Sequence, residues 1–123
     1  MSKDNAQIQK DLLDSLSDNN TLREVQQYIK NVIEIRGFGN QPIQEAMLLL
    51  LEEVGELAKS IRKSKTNMTV DTNKLQNYDT VESEVADVLI VLVSICNLLN
   101  IDIFQALKEK ETENVNRVWK KDE

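Results

Sequence analysis

Apolar residues recur along most of this chain at intervals of three and four, the spacing that lines one face of an α-helix. Ile8, Leu12, Leu13 and Leu16 form a short first stripe, which predicts a helical arm near the N-terminus. Ser17-Asp18-Asn19-Asn20 then reads as a break. Thr21 and Glu24 have capping-box spacing ahead of Leu22, Val25, Ile29, Val32 and Ile33, a helix expected to stop near Arg36, at Gly37-Phe38-Gly39-Asn40. Pro42 suits the first turn of the next helix, with Ile43, Met47, Leu50, Leu51, Val54, Ala58 and Ile61 expected on its core side. From about Arg62 to Thr80 the pattern turns polar, and a connection so long in a compact domain is usually functional or disordered. Asp79 with Glu82 is expected to cap the following helix. Its apolar residues wrap almost the whole circumference from Val85 to Leu99, as in a central, buried helix. Asp102 with Gln105 caps a last helix carrying Phe104, Leu107, Val115 and Val118. No strand-like alternation competes, so the predicted class is all-α: a four-helix bundle with a short N-terminal helical arm. Four helices make a thin core for one chain, and completion by homo-oligomerisation is expected.

Composition narrows the chemistry. The 123 residues suffice for one domain with a modest core. There is no histidine, so the commonest transition-metal ligand and the usual general base are both missing. The single cysteine, Cys96, lies in an apolar run and reads as a buried structural thiol. Zinc sites of the Cys/His type are excluded, and the remaining ligands are oxygens, which suit magnesium, manganese or calcium. A net charge of −6 argues against a nucleic-acid polymer as partner. The first residues lack the apolar core of a signal peptide, and the stretch Val88 to Val93 is too short to span a membrane. A cytoplasmic location is expected.

Two pairs of carboxylates interrupt the apolar faces. Glu53 and Glu56 lie about 60° apart on a helix, as do Glu84 and Asp87. Around Glu53, Ala46 falls near +20° and Leu57 near +40°; around Glu84, Val91 falls near −20° and Ile95 near +20°. Acids placed there project into apolar stripes, and an unpaired buried carboxylate costs several kcal/mol. Glu52 lies about 100° from Glu53, towards the polar side. Three readings compete for these acids. They are surface charges paired with lysines, a di-iron carboxylate site, or a magnesium site on two antiparallel helices. Di-iron sites are typically built with Glu-x-x-His motifs, which this chain cannot supply. Magnesium typically bridges one or two carboxylates to substrate phosphates. No Gly-x-x-x-x-Gly-Lys-[Ser/Thr] loop is present.

Glu52-Glu53-x-x-Glu56 followed by Glu84-x-x-Asp87 resembles the EExxE…ExxD signature of the MazG-like nucleoside triphosphate pyrophosphohydrolases. The words Glu53-Val54-Gly55-Glu56-Leu57-Ala58 and Glu84-Val85-Ala86-Asp87-Val88-Leu89-Ile90 are similar too, and the resemblance covers roughly residues 21 to 119. The implied organisation is an arm over 1–20, the catalytic domain over 21–119 and a tail over 120–123. The implied activity is magnesium-dependent hydrolysis (manganese also serving) of a nucleoside or deoxynucleoside triphosphate to the monophosphate and pyrophosphate, by a homodimer or homotetramer. Metal ligands map onto Glu53, Glu56, Glu84 and Asp87. The catalytic glutamates map onto Glu52 and Glu53, although some relatives lack the leading acid. Lys110, Asn114 and Arg117 are similar to a pattern that contacts phosphate or sugar, and they fall within about 60° of one another on a helix. Phe38 could stack on a base. Lys59, in a basic cluster with Arg62 and Lys63, is a further candidate for the leaving pyrophosphate. The alternative is a non-catalytic helical oligomerisation module with a structural metal site.

Overall fold

The computed structural model of the chain describes residues 4–69 and 80–120. Five helices follow one another: α1 (Asn5–Asp14), α2 (Leu22–Ile35), α3 (Ile43–Lys65), α4 (Val81–Leu98) and α5 (Ile103–Asn114). Among the described residues there is no strand, so the all-α class holds, with α1 as the arm ahead of four helices.

Local chemistry sets most boundaries. The Thr21 hydroxyl accepts from the Glu24 N–H while the Glu24 carboxylate accepts from the Thr21 N–H, a complete capping box at α2. At the other end Gly37 takes φ +92°, where an L side chain would be strained. The Phe38 N–H then reaches the Ile33 carbonyl and the Gly37 N–H the Glu34 carbonyl, satisfying the open end of the helix. Asn100, at φ 55°, closes α4 the same way, with Ile101 N–H on the Cys96 carbonyl. Asp102 caps α5 by accepting from the Gln105 N–H at 2.9 Å.

Four expectations are corrected. The residue that caps α4 is Thr80, whose hydroxyl accepts from the Ser83 N–H; Asp79 lies outside the described residues. Pro42 sits at the N-cap of α3, one position before its first turn. Helix α3 continues to Lys65, so Lys63-Ser64-Lys65 belongs to the helix and not to the connection. Arg62, Lys63 and Lys65 suit the negative end of its dipole, and the Ser64 hydroxyl donates back to the Ser60 carbonyl. Val115 and Val118 lie beyond the end of α5.

The core sits where α2 and α3 meet α4. Ile29 and Val32 of α2, Ala46 of α3, and Val93 and Ile95 of α4 are buried there. Packing of α3 on α4 is the most extensive, α2 lies on α4, and α1 and α5 each lean on α2. The inward line of α3 runs through Ala46, Leu49, Leu50, Glu53, Leu57 and Ser60. Met47, Leu51, Val54, Ala58 and Ile61, expected in the core, are instead exposed on the far side. On α4, Val85, Leu89, Leu92 and Leu99 are exposed as well. Both helices are apolar on two faces, and one chain covers only one of them.

The turn between α4 and α5 is tied to α2 by one amide. The Gln26 Nε2 donates to Asn97 Oδ1 (2.9 Å) and to the Ile101 carbonyl (2.7 Å), while its Oε1 accepts from the Ile103 N–H (3.0 Å). Arg23 adds an ion pair to Asp102 at 2.7 Å and lies over the Phe104 ring at 4.9 Å. Replacing Gln26 by Ala strips three groups of a partner and should cost about 1–3 kcal/mol in urea unfolding. The Gln105 N–H, then the Arg23 guanidinium, hold the Asp102 carboxyl below its ordinary value. Its contribution is therefore complete above the unfolded pKa, about 4, and is lost as pH falls through the lower folded value. Asp102→Asn keeps a capping oxygen but cannot titrate, so its melting temperature should fall less between neutral pH and acid below pH ~4 than that of the wild type.

Candidate metal centre

The acids expected on the inward stripes of α3 and α4 do meet. Glu53 from α3 and Glu84 and Asp87 from α4 bring carboxylate oxygens within 4.8 Å of one another. Glu84 is 6 % exposed; Glu53 and Asp87 are half-buried. Helical spacing explains the pair on α4, since Asp87 follows Glu84 by one turn. The third acid arrives because Glu53 continues the line of Ala46, Leu49 and Leu57 by which α3 packs on α4.

Glu56, one turn beyond Glu53, is exposed and stands outside this group of three. Its position about 60° from Glu53 puts it at the edge of the buried line. Glu52 is exposed on the outer side. Ser60 is buried on the same line as Glu53, a polar residue missing from the sequence candidates. Its spacing of seven residues, about 20° off Glu53, is the signal that could have found it.

The other candidates lie elsewhere. Phe38 is half exposed in the turn after α2. Lys59 and Lys63 are partly covered and already engaged in polar interactions, and Arg62 donates to the Thr69 carbonyl at 3.0 Å. On α5, Lys110 pairs with Glu113 at 3.3 Å, both side chains more than half exposed. Asn114 Nδ2 donates to Glu111 Oε2 (3.2 Å), while its buried Oδ1 accepts nothing. Arg117, three residues beyond the end of α5 and so off the helical face expected to join it to Lys110 and Asn114, lies 4.7 Å from the centre of the Trp119 ring, whose Nε1 donates back to the Asn114 carbonyl. Trp119 thus folds the segment after α5 against the helix end, a role the sequence pattern did not single out. Cys96 is half-buried and not fully enclosed as expected, and that burial pushes its thiol up.

A family model, the MazG nucleotide pyrophosphohydrolase domain, matches residues 41–119. The chain belongs to that family. The match takes in the whole carboxylate group and Lys110, Asn114 and Arg117, and leaves α1, α2 and Phe38 outside. No curated protein and no solved structure matches the chain significantly. Among the described residues no single helix is long and apolar enough to cross a membrane. MazG membership brings nucleotide pyrophosphohydrolysis as the general activity and a nucleotide as the substrate.

The three acids fit a hard divalent cation. They offer only oxygens, they converge, and close carboxylates repel one another unless something neutralises them. A cation that binds only the folded chain should raise its melting temperature, by about 2.7 kcal/mol of stability at a hundredfold excess over Kd. Glu84→Gln should abolish that response. An unchanged midpoint from EDTA to saturating magnesium or manganese would count against a populated site.

Proposed function

We propose that this MazG protein hydrolyses a nucleoside or deoxynucleoside triphosphate between its α- and β-phosphates, with magnesium as the cation. The convergence of Glu53, Glu84 and Asp87 between two packed helices carries the reading. Those three, with Glu56 completing the set from its exposed position, would hold the cation. Bound there, it would neutralise phosphate charge and make a water more acidic. Glu53, inside the group, is the glutamate placed to take that water's proton as its oxygen attacks the α-phosphorus, and Glu52, on the outer side, is the second candidate. The bond from that phosphorus to the bridging oxygen breaks, and pyrophosphate leaves with the electron pair. Lys110, Asn114 and Arg117 stabilise the phosphates and sugar. Phe38 is the candidate to stack on the base, and Lys59 the last-ranked cation for the leaving group.

The working form is a homo-oligomer, at least a dimer. The bare stripes of α3 and α4 are the surfaces to cover. Gly55 lies among Leu48, Leu51 and Ala58 on that side, and among the described residues nothing lies within 4 Å of where its Cβ would be. A glycine inside a helix costs about 1 kcal/mol relative to Ala; close approach of a second copy's helix there gives it a purpose. A cytoplasmic location and the absence of membrane or nucleic-acid partners accord with the acidic composition. In the competing reading, a non-catalytic oligomerisation module, the same acids would hold a structural metal; membership of the MazG nucleotide pyrophosphohydrolase family favours catalysis.

Incubating the protein with a nucleotide panel and magnesium should give monophosphate and pyrophosphate. Diphosphate and orthophosphate would mean attack at the γ-phosphorus and a wrong reading. Glu53→Gln, Glu84→Gln and Asp87→Asn should each remove most turnover, and pairs of them should remove little more, because ligands of one cation act as a unit. Sedimentation should show a dimer or tetramer at micromolar concentration; a stable monomer would refute the assembly.

A further inference from the structure

Away from the carboxylate group, α2 turns a cationic face to the junction of α4 and α5. Arg23, Gln27 and Lys30 stand at i, i+4 and i+7, within about 60° of one another. With Asn97, Asn100 and Asp102 they line a cavity of about 300 Å³. From Asp87 to the end of α4 is eleven residues, about 16 Å of helix, so this cavity is separate from the carboxylates.

The side chains around it differ in what they have left to give. Asp102, the one acid of the lining, already accepts from the Arg23 Nε and the Gln105 N–H. Asn97 is tied to Gln26 through both ends of its amide. The unspent groups are donors. Arg23 bonds Asp102 through Nε, which leaves its two terminal nitrogens for another acceptor. Lys30 makes no ion pair among the described residues. Gln27 gives Asn31 one of its two amide hydrogens. Asn100 holds φ 55°, where glycine is the usual residue, and so adds an amide that the turn itself does not require. The cap at Asp102 also sets the positive end of the α5 dipole at the rim.

Charge decides the ligand class. The chain carries −6 overall, yet this lining has two cations to one acid, and that acid is paired. Guanidinium, ammonium and amide donors beside a helix N-terminus suit phosphate oxygens. The volume is that of about ten waters, room for linked phosphates. We propose that this cavity binds a small polyphosphate anion of the size of pyrophosphate, held between Arg23 and Lys30 of α2 and Asn100 of the turn. The site stands independently of the proposed activity, although that reaction would release such an anion. A bound anion bridges α2 to the α4–α5 turn and so stabilises the folded chain.

Pyrophosphate binding to the full-length protein in EDTA, at constant ionic strength, tests this. Without a divalent cation the carboxylate group repels anions, so calorimetry and the melting temperature report the second site. Pyrophosphate should bind and raise the melting temperature, and orthophosphate should do so more weakly. Lys30→Gln should weaken pyrophosphate binding about tenfold or more, as loss of a charged hydrogen-bond donor does. Asn100→Gly, which keeps the backbone of the turn, should also weaken it. Lys30→Arg and Lys110→Ala should bind as the wild type does. Unchanged binding by Lys30→Gln would overturn the proposal, and so would loss of binding in Lys110→Ala, which would put the anion on α5. An equal rise in melting temperature with chloride would mean general screening and would overturn it too. If pyrophosphate binds as expected while the wild type hydrolyses no nucleotide, the anion site stands and the proposed activity falls.

Discussion

Everything in this fold follows from forcing carboxylates into the seam between two packed helices. Glu53 and Glu84 occupy positions where α3 and α4 would otherwise meet through leucine, valine and alanine. Such placement weakens the protein unless charge is balanced, and a packed seam holds side chains in place far better than a loop does. The same rigidity that makes the position costly makes it useful for gripping a cation and phosphates in one geometry. The rest of the chain is arranged to keep that seam closed. Helix α2 braces α4 from one side, and side-chain caps at Thr21, Thr80 and Asp102 hold the N-termini of α2, α4 and α5.

Helical periodicity made the element order readable, because long amphipathic helices are specified locally. The capping box at Thr21 and the Asp102 cap were legible for the same reason: each is a contact between residues three apart. The carboxylate group was readable because two i, i+3 pairs interrupt apolar stripes. What one strand of letters could not show was which of two apolar faces on α3 points inward. Met47, Leu51, Val54, Ala58 and Ile61 form as good a line as Ala46, Leu49, Leu57 and Ser60, and only the packing of α4 chooses between them. That choice also decides that Glu53 enters the group while Glu56 stays at its edge. The polar run Lys63-Ser64-Lys65 was misleading for a different reason. Hydroxyls bonding back to carbonyls and lysines at a helix C-terminus extend a helix that composition alone would end.

Two surfaces with different chemistry thus share each of the two central helices. The inward face carries charge within an apolar setting and is the one proposed for the reaction. The outward face carries none along its stripes of Met47, Leu51 and Val54 on α3 and Leu89 and Leu92 on α4, and it is the one proposed for association. Substitutions on either face are therefore expected to separate cleanly in effect, one set changing chemistry at constant assembly and the other changing assembly first.

The Gln26 amide adds a consequence for where this unit begins. It lies in α2, outside the segment that matches the family model, yet it occupies the Ile101 carbonyl and the Ile103 N–H that open the last helix. A piece of the chain cut to residues 41–119 would retain every carboxylate of the group and still leave those main-chain atoms to water. The stretch that carries the chemistry is therefore shorter than the stretch that folds around it.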